Sequence, residues 1–363
     1  MGIFNSLKKR FKLFKDKNLI GLDIGDETIK LTEVYSSWGN IVLNNLAIIP
    51  VPDDTVKNGD LNNIIKLEEK LGKVLKEKEF QAKKVVAAIS GEQVISRMVD
   101  IPNMSEEELN QAVKWEASEK LPIQIEDAVL DYEILERKEG RGYQVLLIAV
   151  KKDLINKYLR LFESLGLEPV AIEIEPIAMA RTIDKLYMAR TIGVIDIGIK
   201  TTDISILNEG KLLFTRTIGL GGESITEDIS ETHNYSFEEA EDYKKRNNLF
   251  NNNDTNLIVR NLITSIYRSL DYFQVKYKGV DIDKVVLTGG GANLMGFDRY
   301  LTKEFGVRVE KLNLSYRLRS ELASDKYLSE VAQLLGVSVG LALREEGKND
   351  KFITSRLSKT KKF

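Results

Sequence analysis

The chain of 363 residues is long enough for two domains or lobes, and its composition, 43% hydrophobic and 30% charged, is that of a folded globular protein. It has no cysteine and one histidine, which excludes disulfides and thiolate metal sites and leaves little for Ser/His/Asp catalysis. The net charge of −2 combines two basic ends with an acidic body, which argues against general binding of nucleic acid.

Both ends of the chain are basic. The segment 1–17 and the tail 347–363 each carry six Lys or Arg and one Asp. In the first segment apolar residues recur at helical spacing between lysines, which predicts an amphipathic basic helix. This helix could meet anionic lipid or a partner's groove, or it could pack on the body of its own chain. No apolar run approaches the ~20 residues that cross a bilayer. Lysines also interrupt the region where a signal peptide has its apolar core, so we expect an intracellular protein.

In the first part of the chain, apolar and polar residues alternate as they do in β-strands. The alternation runs from 18 to 50 and opens with a hairpin, "IGLDIGDETIKLTEV", at 20–34. Apolar residues between 61 and 75 then share one face of a helix.

The stretch 82–167 predicts a small inserted domain. Ser105 and Glu108 form a capping box that opens a helix, and this helix ends before Pro122. The other predicted elements are a strand at 85–89, a hairpin of 129–135 and 143–150, and a helix from about 154 that stops at Gly166.

The second half repeats the opening of the first. "VIDIGIKTTDISIL" at 194–207 follows the earlier hairpin so closely that Asp196 matches Asp23 at an offset of 173 residues. An offset of that size indicates two similar halves and not a solenoid repeat. Helices near 236–247 and 257–275 precede a further glycine motif, "VVLTGGGANLMGF", at 285–297.

An Asp at a strand end with a Gly two residues later suits a phosphate site. The Gly lets the backbone approach an anion, and turn amides point at its oxygens. Asp23 and Asp196 would not touch phosphate but would hold a hydrated Mg²⁺. Lys30 could add a positive charge. One such turn alone is better explained as a tight turn with a satisfied Asp, but a pair of them predicts a clamp on the two sides of one polyphosphate.

Two further motifs suit a nucleoside. The glycines Gly289, Gly290 and Gly291 open a helix, which favours close contact with a nucleoside and its α-phosphate. Glu241 and Lys244 lie three residues apart and so share one helix face. They could bind ribose hydroxyls and adenine edges, or they could form an exposed salt-bridged face.

The order of these motifs resembles the actin / Hsp70 / sugar kinase superfamily of ATPases. Within it, the chain resembles the type IV pilus assembly PilM family, which is close to FtsA, over roughly residues 18 to 346. The resemblance implies an α/β, two-lobed actin/Hsp70-like fold, built from duplicated RNase H-like domains with an FtsA-type inserted subdomain. The segments that carry it are "WEASEKLPIQIEDAVLDYEIL" (115–135), "IEPIAMAR" (174–181), "FTRTIGLGGESIT" (214–226), "EEAEDYK" (238–244) and "VGLALR" (339–344).

The resemblance also assigns roles to residues. It implies that Asp23 and Asp196 hold Mg²⁺ through water, that Glu241, Lys244 and Gly289–Gly291 line the adenosine, and that Glu175 positions the attacking water. A buried carboxylate bound to Arg181 is the alternative for Glu175. Turn amides or side chains would meet the phosphates at Gly25, Asp26, Glu27, Thr28, Gly198, Lys200, Thr201 and Thr202.

This sequence departs from the small, serine-rich turn that is usual in the family. Asp26 and Glu27 place two acids beside the first phosphate turn, and Lys200 replaces a small residue in the second. We expect the acids to weaken nucleotide binding or to demand tighter magnesium, with Lys200 as a partial offset.

The resemblance implies a division of the chain into five parts. Residues 1–17 are the basic segment and 347–363 the basic tail. The first lobe comprises 18–81 and 168–190, with 326–346 returning to it; the inserted partner-binding subdomain is 82–167, and the second lobe with the adenosine site is 191–325.

The implied function is a cytoplasmic ATP-binding scaffold of the type IV pilus machine, peripheral to the inner membrane. Its partner would be the N-terminal cytoplasmic peptide of a PilN-like inner-membrane protein, with other pilus assembly proteins as further partners. Contact of the basic ends with anionic lipid, self-association, and turnover beyond a slow ATPase stay open. An FtsA-like division protein that docks on lipid is one rival. A sugar-kinase-like enzyme is another, although no second polar pocket with a base is evident.

Overall fold

The computed structural model describes residues 18–37, 40–89, 91–138, 140, 142–250, 257–320 and 324–345. The predicted basic helix at 1–17 and the basic tail 347–363 lie outside these residues. The strands are β1 (Leu19–Ile24), β2 (Thr28–Ser37), β3 (Asn40–Pro50), β4 (Val56–Lys57), β5 (Asp60–Leu61), β6 (Lys84–Ile89), β7 (Ile95–Ile101), β8 (Ala128–Lys138), β9 (Gly142–Lys151), β10 (Glu168–Ile174), β11 (Thr191–Ile197), β12 (Thr202–Asn208), β13 (Lys211–Ile218), β14 (Lys284–Thr288), β15 (Val309–Lys311) and β16 (Leu318–Ser320). The α-helices are α1 (Ile64–Glu77), α2 (Glu106–Lys120), α3 (Lys152–Ser164), α4 (Glu175–Leu186), α5 (Gly222–His233), α6 (Phe237–Arg246), α7 (Leu257–Lys276), α8 (Phe297–Phe305) and α9 (Asp325–Ala342).

The described residues divide into two compact units. The first comprises those of Met1–Thr182, Arg317–Ser324 and Val337–Phe363; the second comprises Ile183–Tyr316 and Asp325–Gly336. None of the helices in the described ranges is long and apolar enough to cross a membrane.

The first unit is built on a mixed sheet with strand order β10-β6-β1-β2-β3-β16. β1, β2 and β3 form an antiparallel meander, and β6 and β10 join the other side of β1 in parallel. Every residue of β1 is buried, which explains why its sequence is a nearly continuous apolar run.

The second unit repeats this topology with strand order β13-β12-β11-β14-β15. β11, β12 and β13 again form an antiparallel meander, with β14 parallel to β11 and β15 parallel to β14. Each strand of this sheet has a counterpart at the same place in the first. The sequence prediction of a duplicated, two-lobed α/β fold is therefore confirmed.

A third, three-stranded sheet with order β7-β9-β8 lies within the first unit. Helix α2 packs on one face of it around a buried cluster that includes Val99, Leu109, Val113 and Leu147. β6, which the sequence reading grouped with this domain, belongs to the six-stranded sheet, where it hydrogen-bonds to β1 and β10. The strand that completes the small sheet is β7, which that reading missed because its alternation "ISRMVDI" is weak.

Local signals predicted the helix ends and hairpins of this region correctly. The hydroxyl of Ser105 accepts from the Glu108 amide while the Glu108 carboxylate accepts from the Ser105 amide, which is the predicted capping box. Helix α3 ends before Gly166, whose φ of +66° is the left-handed conformation that ends many helices. The β8–β9 hairpin and helices α6 and α7 also lie where they were predicted.

Within the first unit the end of α9 packs very closely on α4 and β1, because glycines remove the side chains between backbones. A Cβ on Gly340 would lie 1.8 Å from the carbonyl oxygen of Ala178 in α4, and one on Gly21 would lie 1.9 Å from the carbonyl oxygen of Ser338. Neither contact can relax by moving a flexible side chain, since both obstacles are backbone atoms.

We therefore expect Gly340→Ala to destabilise the protein, although Gly→Ala within a helix usually stabilises by up to about 1 kcal/mol. The clash should outweigh that gain and lower the free energy of unfolding by roughly 1–3 kcal/mol. Thermal melting followed by circular dichroism measures the change. Gly219→Ala is the matched control, because a Cβ there meets nothing within 4 Å. Equal melting temperatures for the two variants would contradict the packing argument.

Candidate functional site

The first glycine turn joins β1 to β2. The Gly25 amide donates to the Thr28 carbonyl at 3.1 Å, which closes the turn. Asp23 is buried near the end of β1 and lies directly opposite Lys30 in the antiparallel register. The Lys30 ammonium is 3.3 Å from the Asp23 Oδ2 atom. The lysine that was predicted as a charge for phosphate thus already neutralises the predicted magnesium-binding acid.

The two extra acids of this turn behave differently. The carboxylate of Asp26 turns to the neighbouring β4–β5 hairpin, where its Oδ1 accepts from the Gly59 amide at 3.0 Å. Glu27 is exposed, and its carbonyl accepts from the Val51 amide at 2.9 Å. One carboxylate oxygen of Asp26 is therefore already hydrogen-bonded to the hairpin, which argues against the expectation that Asp26 presents its charge to a phosphate.

Glu175 starts helix α4 immediately after β10 and is half-buried. Tyr158 is fully buried, and burial, followed by the charges of Asp23 and Glu175, raises the pKa of its hydroxyl. Because β1 and β10 both run parallel to β6, which lies between them, their carboxyl ends lie at the same edge of the sheet. The predicted Glu175 and Asp23 belong to one neighbourhood of the first unit.

Arg181, the partner that the alternative reading gave to Glu175, forms an ion pair with Glu173. Arg181 lies 2.5 Å from the Oε2 atom of Glu173, and Arg344 ion-pairs with the other oxygen of the same carboxylate. The Glu173 side chain is fully buried, so two guanidinium groups compensate its charge. A buried acid near the strand end that binds Arg181 thus lies two residues earlier in the sequence, and the role of Glu175 in positioning water stays a prediction.

The second glycine turn joins β11 to β12 and rests on the start of α5. The Gly198 amide donates to the Thr201 carbonyl at 2.9 Å, and the Gly198 carbonyl accepts from the Gly222 amide at 2.9 Å. Lys200 ion-pairs with Glu223 in the first turn of α5. Thr202 is buried and its hydroxyl donates to the Leu220 carbonyl at 2.8 Å.

Asp196 ends up beside a second acid that sequence reasoning missed. In the register of β11 and β12 it lies opposite Asp203, which is buried and accepts a hydrogen bond from the Thr217 hydroxyl. Burial raises the pKa of Asp203 to about 6, although the Thr217 bond opposes the shift. The signal was available, since Asp203 holds the place in the second repeat that Lys30 holds in the first.

The triple-glycine turn packs directly on this strand end. Gly289 has φ +77°, and a Cβ there would lie 2.4 Å from the Asp196 Oδ1 atom. Its amide donates to the Gln333 carbonyl at 2.8 Å. A Cβ on Gly291 would lie 2.3 Å from Ile197 Cγ2, whereas one on Gly290 would meet nothing within 4 Å. The glycines thus bring a backbone turn against Asp196 and leave its middle open.

The Glu-x-x-Lys pair is not an exposed salt-bridged face. Lys244 is buried, and its ammonium lies 2.9 Å from the Gly222 carbonyl, 2.6 Å from the Thr226 hydroxyl and 2.6 Å from Glu241. Burial alone would raise the pKa of Glu241, but bonds from Lys244 and Thr226 outweigh it and the pKa lies below its ordinary value. The pair therefore joins α6 to the start of α5, next to the second turn.

The predicted residues thus form two sets, each within one unit. The Asp196 carboxylate is an oxygen ligand of the kind Mg²⁺ takes, whereas one oxygen of Asp23 already faces Lys30. Within the described ranges, no three His, Cys, Asp or Glu side chains lie close enough to hold a metal ion. This donor set fits a magnesium ion that keeps most of its water. The first set is Asp23, Gly25, Asp26, Glu27, Thr28, Lys30 and Glu175; the second is Asp196, Gly198, Lys200, Thr201, Thr202, Glu241, Lys244 and Gly289–Gly291.

Known structures and proteins resemble this chain over most of its length. A PilM-PilN type IV pilus biogenesis complex aligns with a TM-score of 0.78 at 28% identity, covering 89% of this chain and 97% of that chain. Ethanolamine utilization protein EutJ from Carboxydothermus hydrogenoformans aligns with a TM-score of 0.53 at 18% identity over 89% of this chain and 88% of that chain, which shows the fold alone. Cell division protein FtsA of Bacillus subtilis (strain 168) is 26% identical over 253 residues, 62% of this chain and 57% of FtsA. This chain therefore matches less than two thirds of FtsA.

The match to a family model includes residues of both units. The model described as type IV pilus assembly protein PilM matches residues 21–346, from the middle of β1 to beyond the end of α9. That range contains every residue of the two sets described above. The chain belongs to the type IV pilus assembly protein PilM family and has an actin-like fold.

Proposed function

We propose that this protein is a nucleotide-binding scaffold of the type IV pilus machine that binds Mg-ATP and a peptide of a PilN-like membrane protein. The observation that carries the nucleotide part is the triple-glycine turn packed against Asp196 near the end of β11, the strand whose following turn hydrogen-bonds to the start of α5. The family membership and the likeness to a PilM-PilN complex support the pilus part.

In the second unit, the turn at Gly198–Thr201 would face the phosphates, and the open middle of the triple-glycine turn at Gly290 would admit the nucleoside. Lys244 holds the start of α5 in place through the Gly222 carbonyl, so its role includes positioning this wall of the site. When bound, magnesium would neutralise phosphate charge, with Asp196 orienting its water shell.

In the first unit, we propose that the Gly25 turn contributes to phosphate binding in the same manner. Lys30 supplies a positive charge next to Asp23, and Glu175 is the group that could orient a water molecule for attack on phosphate. Lys30 in β2 lies opposite Asp23, and Glu175 follows the end of β10 directly.

The partner-binding part of the proposal rests on the three-stranded sheet and α2. On the inner face of α2, Leu109 and Val113 are buried in the local core. On the opposite face Trp115 is 63% exposed. An exposed Trp is the type of residue that anchors peptides and partner proteins. We propose that this surface takes part in binding the cytoplasmic N-terminal peptide of a PilN-like protein.

Such a scaffold would act at the cytoplasmic face of the inner membrane. A membrane-anchored partner is sufficient to place it there, and the basic segments 1–17 and 347–363 would add attraction to anionic lipid. Nucleotide state would then bias partner affinity by linkage, which requires no rapid turnover.

Replacement of Asp196 by Ala should weaken Mg-ATP binding at least tenfold, or about 1.4 kcal/mol. The side chain lies at the strand end, and its loss removes the proposed hold on the magnesium shell. Isothermal titration calorimetry measures the affinity. Asp281→Ala, an exposed acid in the same unit, should bind like wild type. Unchanged affinity in Asp196→Ala would remove the site assignment.

We expect turnover of ATP below about one per minute, which corresponds to a barrier of roughly 20 kcal/mol or more. Glu175 is the one proposed group for activating water, and Glu175→Gln should lower the residual rate without lowering ATP affinity. Phosphate release measured with purified protein tests both statements. Enzyme-like rates, or acceleration by a sugar, would favour a phosphotransferase over a scaffold.

Trp115→Ala should weaken binding of a synthetic PilN-like N-terminal peptide at least tenfold while leaving ATP affinity unchanged. The reason is that truncation of an exposed aromatic anchor removes most of its contact area. Fluorescence anisotropy of the labelled peptide provides the measurement. Ile65→Ala, an exposed apolar residue on α1 that is 70% exposed, is the matched control. If both variants bind the peptide equally well, the partner surface lies elsewhere.

A further inference from the structure

The β4–β5 hairpin carries a contact pattern that neither proposed binding function uses. Its two-residue turn is Asn58-Gly59, with φ +52° and +72°. Positive φ at both positions is typical of the type I′ turn that Asn-Gly forms between two strands. Such a turn leaves the peptide group between its two central residues outside the strand ladder.

That one peptide group is held at both ends. Its N–H, on Gly59, donates to the Oδ1 of Asp26 at 3.0 Å. Its carbonyl, on Asn58, accepts from the Nε2 of Gln93 at 2.8 Å. The N–H and C=O of a trans peptide lie in one rigid plane and point in opposite directions. The peptide is therefore a stiff link between the Asp26 and Gln93 side chains.

The two side chains belong to functionally distinct parts of the first unit. Asp26 follows Gly25 directly in the first glycine turn. Gln93 ends the short 3₁₀ helix Gly91–Gln93, which leads into β7 of the three-stranded sheet. Asp60 of the hairpin also ion-pairs with Lys157 of α3 at 2.8 Å. The hairpin is thus fixed to α3 while its turn joins the glycine turn to the entrance of the small sheet.

We propose that this peptide group couples the first glycine turn to the three-stranded sheet, with Asp26 as a positioning residue. The inference rests on the proposed nucleotide and partner functions. A phosphate that orders the Gly25 turn would fix Asp26, which would hold the Asn58–Gly59 peptide and through it Gln93 and the start of β7. By reciprocity, a peptide bound at the sheet would favour the same ordered turn.

This coupling gives the unusual acid in the turn a role other than contact with phosphate. The two roles predict different results for Asp26→Asn. The amide of Asn retains an oxygen that can accept from the Gly59 N–H but lacks the negative charge. If Asp26 acts through its hydrogen bond, the Asn variant behaves like wild type and the Ala variant does not. If it acts through its charge, the two variants behave alike.

Hydrogen–deuterium exchange of the full chain without nucleotide tests the link. Asp26→Ala should speed amide exchange about tenfold both in 56–61 and in 91–101, because opening of one end releases the other. Asp26→Asn should exchange as wild type does, and so should Asp53→Ala, an exposed acid nearby. Unchanged exchange in 91–101 for Asp26→Ala, or fast exchange in Asp26→Asn, overturns the proposal.

Gln93→Ala tests the same link from its other end and guards against a general loss of stability. It should speed exchange in 56–61, and in its background Asp26→Ala should add little further change in 91–101, because the two residues act through one peptide. Full additivity of the two substitutions in 91–101 would contradict a single connecting path.

Addition of Mg-ATP separates this inference from the proposed function. In wild type Mg-ATP should slow exchange in 91–101. In Gln93→Ala calorimetry should still detect ATP, because Gln93 lies outside both sets of proposed site residues, but the slowing in 91–101 should be lost. Retained slowing in that variant would overturn the coupling. If wild type binds no ATP, the proposed nucleotide function is wrong, and the nucleotide-free exchange still decides whether Asp26 controls the start of β7.

Discussion

One backbone hydrogen bond closes each of the two turns on which the candidate site depends. The Gly25 amide bonds to the Thr28 carbonyl at 3.1 Å, and the Gly198 amide bonds to the Thr201 carbonyl at 2.9 Å. Each bond reverses a buried strand within four residues and so fixes an antiparallel register. That register sets which side chain lies opposite the acid at the strand end.

The two turns have the same backbone, but the residue opposite the acid at the strand end is a base in one unit and an acid in the other. Lys30 lies opposite Asp23, whereas Asp203 lies opposite Asp196. In the second unit Lys200 and Lys244 are themselves ion-paired to glutamates. The described cations near the second turn are therefore already matched by acids. This is the physical reason why our proposal assigns a metal ion to nucleotide binding there, since phosphate needs a compensating positive charge.

Sequence reasoning predicted the parts of this structure that are local or repeated. The 173-residue offset located both hairpins, and the capping box at Ser105 gave a correct helix start. Contacts between distant residues could not be predicted in the same way. Periodicity does not specify that Glu173 forms an ion pair with Arg181. Nor does it specify that β6 pairs with β1 and not with the small sheet, because tertiary packing decides which strands are neighbours. The burial of Lys244 has the same cause.

The Asn-Gly turn at 58–59 could be predicted from the sequence only in part, because its shape is local whereas its contact with Asp26 is not. The dipeptide between two short strands predicts a hairpin from sequence alone. The coupling role that we propose for it depends on Asp26, which lies 33 residues before Gly59, and no local pattern connects the two. An acid in a phosphate turn would by itself oppose an anionic ligand. The Gly59 amide compensates that acid from the protein side, because a carboxylate that accepts a backbone N–H spreads part of its charge into that bond. The turn can therefore keep an acid at this position, and the acid adds to the contacts of Asp60 with Lys157 and of Asn58 with Gln93 that hold the hairpin.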